Sequence, residues 1–398
     1  MGEVMIGTRL DDVDAPRLIR SAQGWWFIGN QTWTLLRPEH VAPDGTVRED
    51  AEEFLRDHGA YRPRTPKSFS LTVLTSTACN LGCGYCFQNV ALDPKGGHRP
   101  LRLDRERLTA STIDRIVEFT VDRMAQADLD KLYLLLFGGE PLLNPAGCLT
   151  MLERSAAIGL DFATMVTNGV LLTPKLARDL SARGLRGIQV TFDGSREDHD
   201  QIRVRHSGGA TFDTIVDNVG RASGAATFSW NFRVNVSHRN FHRIGELFDQ
   251  LHGRVDASRC TVVFAWVGDA GIGYGNELGP ANEVADRFVD WSVSAVEAGF
   301  RVALPSMRTT CQICTVPGGR HGAVVNADGT LYSSWQSAGK RGWEVGTIDA
   351  GYLDVAAVAD RWVTCGYEYR HADAEVMSAF QDRVDAKVLD YLYATDRL

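Results

Sequence analysis

The chain has 398 residues, 44% of them hydrophobic and 23% charged, and 50 acidic against 42 basic residues leave a formal net charge of -8. That length suits one large domain with appendages or a few ordinary domains, the acidic balance gives no basic footprint for nucleic acid, and the strongest apolar run, LYLLLF at 132–137, is strand-sized and too short for a membrane helix. The start, MGEVMIGTRLDDVDAPR, lacks the basic-then-apolar order of a signal peptide, so a cytosolic protein is expected, in which eight cysteines suggest metal or redox chemistry and not a disulfide frame.

Residues 1–66 form a prologue. Within it, GWWFIGNQTWTLLR (24–37) predicts a short hairpin and REDAEEFLRDHG (48–59) a helix closed by Gly59; RPRTPK (62–67) reads as a linker. A regular alternation follows over 67–300. Strand-like runs fall at 70–76, 131–137, 163–168, 187–193, 231–237 and 261–267, with helical segments at 105–126, 174–184, 211–223 and 241–253. Six such units predict parallel βα architecture, and periodicity alone leaves a barrel and a doubly wound sheet open. In both, chemistry belongs at the C-terminal ends of the strands. From 301 to 398 the style changes: a hairpin at 321–335 turning at Asp328-Gly329, then helical stretches at 354–364 and 374–394.

Directly after the first barrel-type strand comes TACNLGCGYCFQN, with Cys79, Cys83 and Cys86 spaced C-x3-C-x2-C. Three readings compete for this triplet. Buried cysteines can pack as small hydrophobes, but three so close, beside Gly82 and Gly84, speak against that. Zinc wants four ligands, and only His98, across a long loop, offers a fourth. An iron–sulfur cluster accepts thiolates, and a four-iron cube held by three of them keeps one corner free for substrate or cofactor.

The triplet, with Tyr85 before its last cysteine, resembles the signature of the radical S-adenosylmethionine (SAM) superfamily. So do FGGEP (137–141), VTNG (166–169) and VTFDG (190–194), the last followed by His199-Asp200 and Arg203, a pattern similar to the peptide- and protein-modifying branch. The resemblance spans about residues 70–270. It implies an α/β fold with a partial (β/α)6 TIM-type barrel. It also implies a [4Fe-4S] cluster on Cys79, Cys83 and Cys86 whose open iron chelates SAM; one electron then releases a 5′-deoxyadenosyl radical that takes a hydrogen atom from the substrate. Gly138 and Gly139, with Glu140 and Pro141, would form the segment facing the methionine amino group. Thr191 and Arg203 would grip the SAM carboxylate, and Tyr85 would meet adenine through its main chain. Phe264 could pack on adenine or serve as core. Asn168 and Asp193 lie at strand ends, Asp193 orienting the ribose or its loop; His199-Asp200 could instead cap the next segment. Arg233 and Asn235, two apart, share one face of their strand; facing the barrel interior, they would need SAM or substrate as partners.

Many peptide-modifying relatives carry a cysteine-rich extension, SPASM or twitch, that binds auxiliary clusters. Here Cys314 is followed by fourteen residues, Gly329 and four more, and then by Ser334 where a cysteine would stand. A degenerate extension without iron is therefore expected, the alternative being one auxiliary cluster on Cys260, Cys311, Cys314 and Cys365. The substrate implied is a ribosomally made peptide, modified by a carbon–carbon or thioether cross-link. Sulfatase-maturase-like oxidation of a protein Cys or Ser, or a non-catalytic iron–sulfur scaffold, are the alternatives. A ferredoxin or flavodoxin would supply electrons, and the aromatic prologue (Trp25, Trp26, Phe27, Trp33) could recognise the peptide or be core.

Overall fold

The computed structural model describes residues 15–62, 67–88, 103–268, 274–307, 311, 313–314, 318–363 and 374–398. His98 and Cys365 lie outside them.

The prologue is a three-stranded antiparallel sheet, β1 (Arg17–Arg20), β2 (Trp25–Gly29) and β3 (Thr32–Leu36), followed by α1 (Glu49–Asp57). The predicted hairpin is β2–β3; β1 adds a strand that the sequence reading lacks. Strand periodicity sorts the aromatics. Trp26 and Ile28 pack with Leu389, while Phe27 goes to the other face with Leu36 and Leu55. Trp26 is fully buried and donates from Nε1 to Asp390 at 2.8 Å, and Trp33 donates to the Pro305 carbonyl at 2.7 Å. These side chains thus fix the prologue to the body; as core, Trp26 and Phe27 present no ring for peptide recognition.

The body is one eleven-stranded sheet whose middle is six parallel strands in sequential order: β4 (Phe69–Ser76), β5 (Leu132–Gly138), β6 (Leu160–Thr167), β7 (Leu185–Phe192), β8 (Ser229–Val236) and β9 (Cys260–Trp266). The connections carry α2 (Ala110–Gln126), α3 (Pro145–Ala156), α4 (Pro174–Ala182), α5 (Arg196–Ile202), α6 (Phe212–Ala225) and α7 (Glu246–Leu251). Alternation divides each strand. Leu132, Leu134 and Leu136 of β5 join Ile113 and Ile116 of α2 and Met151 and Leu152 of α3 in the main core, whereas Tyr133, Leu135 and Phe137 face a central cavity. The result is the expected α/β open barrel, hollow inside. The expected helix at 105–126 begins only at Ala110, where Thr109 accepts from the Thr112 N–H as N-cap. The short α7 lies inside the longer 241–253 expectation.

After α8 (Asn282–Glu297), β10 (Arg301–Val302) closes one side of the sheet against β9. On the opposite side, β11 (Gly322–Val325) runs parallel to β4, pairing from Gly322↔Ser70 to Val325↔Val73. It turns through Asn326–Gly329 into β12 (Thr330–Tyr332), and β13 (Gly346–Thr347) and β14 (Gly351–Tyr352) complete that flank. Gly329, at φ +94°, takes the left-handed turn position that favours glycine. Of the predicted helix 354–364 only α9 (Val355–Val358) forms among the described residues; α10 (Ala374–Ala394) matches its expected range and packs on α8 and β1. Arg17 bridges to Asp382 and Asp385 of α10 at 2.5 and 2.6 Å. Among the described residues no helix is long and apolar enough to cross a membrane.

Candidate active site

A cavity of about 710 Å³ occupies the barrel interior. Cys79, Cys83 and Cys86, on the loop after β4, line its upper rim at the strands' C-terminal ends, together with Gly138, Gly139, Asn168, Thr191, Arg203 and Asn235. Chain segments far apart in sequence thereby converge on one rim.

The two glycines are explained first by the chain itself. A Cβ on Gly138 would stand 2.2 Å from the Ser76 carbonyl oxygen, and one on Gly139 would stand 2.5 Å from those of Thr77 and Ala78. Side chains are excluded because the end of β5 lies against the start of the cysteine loop, where Gly139 N–H donates to Ser76 O and Glu140 N–H to Ala78 O, both at 2.9 Å.

Glu140 is fully buried. Its Oε1 accepts from the Thr167 hydroxyl at 2.7 Å and the Leu142 N–H at 2.9 Å, and its Oε2 from the Asn168 N–H at 2.8 Å. Burial raises its carboxyl above the usual range, and these donors oppose the shift. Glu140 is therefore a brace joining the ends of β5 and β6, not a wall residue facing an ammonium group. Pro141 likewise lies buried behind the rim, its carbonyl accepting from Thr75 Oγ1 at 3.3 Å.

The Tyr85 side chain is more central than its sequence reading allows. Its hydroxyl lies 2.8 Å from Asp193 Oδ2 and accepts from Arg203 Nη1 and Asn235 Nδ2, each at 2.8 Å. Arg203 also lies 3.5 Å from the Asp193 carboxylate. Four residues, from the cysteine loop, just past the ends of β7 and α5, and from β8, are so tied at one oxygen. Burial pushes the Asp193 carboxyl up, opposed chiefly by the Arg203 charge. Arg203 is thus engaged within the protein on one side, while its Nε, buried, has no partner.

His199 and Asp200 serve the frame. His199 Nδ1 accepts from the Asp193 N–H at 3.3 Å, and Nε2 lies 3.2 Å from the Thr211 hydroxyl. Asp200 Oδ1 accepts from the N–H groups of Thr211 and Phe212 at 2.7 and 2.9 Å, capping α6. Burial holds the His199 imidazole well below its ordinary range, so the folded state keeps it neutral. The unfolded chain takes up a proton below about pH 6.5 and the folded one does not. Stability is therefore full above that pH and falls as pH drops, with a slope approaching about 1.4 kcal/mol per pH unit. Urea titrations at stepped pH should show this slope, and His199→Gln should remove most of it; an unchanged slope would assign the acid sensitivity elsewhere.

Phe264 does not reach the cavity. On β9, Thr261 faces in, and Phe264, out of phase with it, packs on Phe248 of α7 and Phe288 and Trp291 of α8 at centroid distances of 6.2, 6.2 and 5.8 Å. The same alternation turns Cys260 outward into the main core, where its thiol donates to Asp256 O. Cys311 and Cys314, in contrast, line the cavity. Cys260 therefore does not belong with that pair, which removes one member of the four-cysteine auxiliary site. Ser334 stands on the cavity wall as a hydroxyl.

Residues that the sequence reading did not single out form the lower wall: Gln189, Asn231 and Thr261 pair in one row across β7, β8 and β9. Tyr133 and Thr164 share a 2.8 Å hydrogen bond, and Trp335 Nε1 donates to Thr72 Oγ1 at 3.0 Å. The signal was present in the two-residue period: each polar residue in phase with Arg233 or Thr191 faces the same way.

Residues 73–251 match the Radical SAM superfamily model. That segment is a radical SAM domain. Among curated proteins it is 28% identical over 227 residues to mycofactocin maturase MftC of Mycolicibacterium smegmatis, covering 56% of this chain and 51% of that one. It is 38% identical over 120 residues to the GTP 3′,8-cyclase of Thermodesulfovibrio yellowstonii, covering 30% and 33%. The chain spans about half the length, or less, of these curated relatives. A solved structure of native anSMEcpe with bound AdoMet and Kp18Cys peptide shares the fold, with a TM-score of 0.52, 16% identity and coverage of 79% of this chain and 84% of that one.

A radical SAM domain implies SAM and a [4Fe-4S] cluster, and the rim fits both. It offers three thiols, with two buried donors lacking partners, Arg203 Nε and Asn80 Nδ2, close in the fold to the cysteine loop. Groups bringing acceptors, such as sulfides or a carboxylate, suit these donors. Among the described residues no three His, Cys, Asp or Glu side chains are gathered tightly enough for a single metal ion. Cluster thiolates each ligate a different iron, so they need not converge on one point. Without a cation, burial pushes the thiols of Cys79 and Cys83 up to about 12.

Proposed function

We propose that this chain is a radical SAM maturase that modifies a ribosomally made peptide by hydrogen-atom abstraction, forming a cross-link such as a carbon–carbon or thioether bond. The observation that carries the reading is the placement of three thiols at the rim of a cavity large enough to admit an amino-acid side chain beneath them. The similarity to a mycofactocin maturase and the fold shared with a structure holding AdoMet and a peptide together support it.

Cys79, Cys83 and Cys86 would hold the cluster, and Thr191, Asn168 and the Arg203 Nε would bind SAM beside it. When bound and reduced by an external electron donor, the cluster would supply the electron for reductive cleavage of SAM, and with it the radical chemistry that abstracts hydrogen. The protein's own part is positional. Glu140 and the glycine pair hold the loop against β5, and the Tyr85 hydroxyl fixes the Arg203 guanidinium.

Anaerobically reconstituted protein given a reductant and SAM should release 5′-deoxyadenosine; no release under those conditions would refute the radical chemistry. Co-expression with short peptides encoded beside the gene, followed by mass spectrometry, tests the substrate: a peptide lacking two hydrogens supports a cross-link, whereas an oxidised Cys or Ser side chain would favour the sulfatase-maturase-like alternative. Iron analysis should give about four atoms per chain, one cube. About eight would require an auxiliary cluster at Cys311 and Cys314 with ligands other than Cys260.

A further inference from the structure

Among the described residues, the cavity carries one charge with no carboxylate to match it. Two arginines among the described residues line the cavity. Arg203 is matched, by the Tyr85 hydroxyl at 2.8 Å and the Asp193 carboxylate at 3.5 Å. Arg233, on β8, is not: its Nε donates to Asn235 Oδ1 at 2.8 Å, and among the described residues no carboxylate lies within ion-pair distance. The two acids described at the rim are already committed, Glu140 to three donors behind it and Asp193 to Arg203.

The surroundings of Arg233 are polar but uncharged. It pairs across the sheet with Thr191, and one row deeper stand Gln189, Asn231 and Thr261. Asn231 Oδ1 is buried without a hydrogen-bond partner. A half-buried guanidinium facing a cavity without a carboxylate partner can take an anion there, and a carboxylate matches its fork geometry. The amide beneath can turn either its N–H2 or its oxygen to the same ligand.

We propose that Arg233 binds a carboxylate of the substrate inside the barrel, so that the enzyme selects a peptide presenting either an acidic side chain or a C-terminal carboxylate at the residue that enters the chamber. This rests on the reading of the cavity as the substrate chamber of a radical SAM maturase. Arg233 is a specificity residue in this account: it grips the substrate and leaves the cluster to the three cysteines.

Calorimetric titration of the SAM-bound holoprotein with three probes tests this. N-acetylglutamate α-amide offers a side-chain carboxylate, N-acetylglutamine offers only the terminal one, and N-acetylglutamine α-amide offers neither. At least one acid should bind about tenfold or more tighter than the neutral amide, as expected for a charged hydrogen-bonded pair, and which acid binds identifies the source. In Arg233→Gln the preference should vanish, and in Arg233→Lys part of it should remain. Equal binding of acid and amide, no binding of either acid, or a preference that survives in Arg233→Gln each overturns the proposal. A fall in SAM affinity in Arg233→Gln does so too, since it would give the arginine to SAM. Release of 5′-deoxyadenosine from the unaltered protein without any probe reports separately on the underlying chemistry, so the two failures are told apart.

Discussion

Changing Cys79, Cys83 and Cys86 together to alanine is expected to leave a folded protein that holds no cluster iron, shows no brown absorbance and releases no 5′-deoxyadenosine. The loop keeps its course without the thiols, because its path is set by backbone: Gly82 N–H donates to Val204 O at 2.8 Å, and Glu140 N–H to Ala78 O at 2.9 Å. Each substitution removes one small atom from a site beside solvent or cavity, a loss of about 1 kcal/mol or less in packing. Circular dichroism should match the unaltered apoprotein while iron content falls to background. Retention of the full iron complement by the triple variant would refute the assignment of the cluster to this loop.

The second large effect is structural and lies just behind the rim. Glu140→Ala leaves the N–H groups of Leu142 and Asn168 and the Thr167 hydroxyl without their acceptor in a fully buried place. Each orphaned donor costs about 1–3 kcal/mol, and the three are not additive, so a total near 3–5 kcal/mol is expected. Glu140→Gln should cost less, since one oxygen still accepts while its N–H2 meets a donor. Urea unfolding of the two variants gives the order directly. If alanine proved as stable as the parent, the carboxylate would have to be a ligand-facing group and not a brace. Cluster incorporation should fall with stability, because Asn168, held through its N–H by Glu140, also reaches Asn80 at 2.7 Å beside the first cysteine.

Much of this architecture was legible in the residues, for reasons that are local. The six barrel strands show runs of β-branched and apolar side chains bounded by turns, and their expected ranges lie within a few residues of β4 to β9. The cysteine loop, the glycine pair and Asp193 fall where a strand-end reading puts them. Three helices went unread. α3 opens at Asn144-Pro145, a cap followed by proline, close enough behind FGGEP to pass for part of the strand-end turn. α5 has only seven residues, and α8 follows a stretch rich in glycine that hides its start.

The site was less legible than the frame, because its key contacts are distant in sequence. Arg203 meets Tyr85 across 118 positions and Asn235 meets it across 150, and no spacing rule announces either. Phe264 shows a different limit. Its strand was expected, but which way it faces depends on the phase set by Thr261, and a shift of one residue exchanges core for chamber.

The union of β11 with β4 has a practical corollary. The strand that launches the cysteine loop is flanked by β5 on one side and by a late segment of the chain on the other, and Trp335 from that segment bonds to Thr72 of β4. A version cut after β10 would bare a row of unpaired main-chain groups along β4 and invite self-association. Dissection of this protein by shortening its C-terminal third would therefore disturb the end that carries the three cysteines even where none of them is removed; point substitutions are the cleaner instrument.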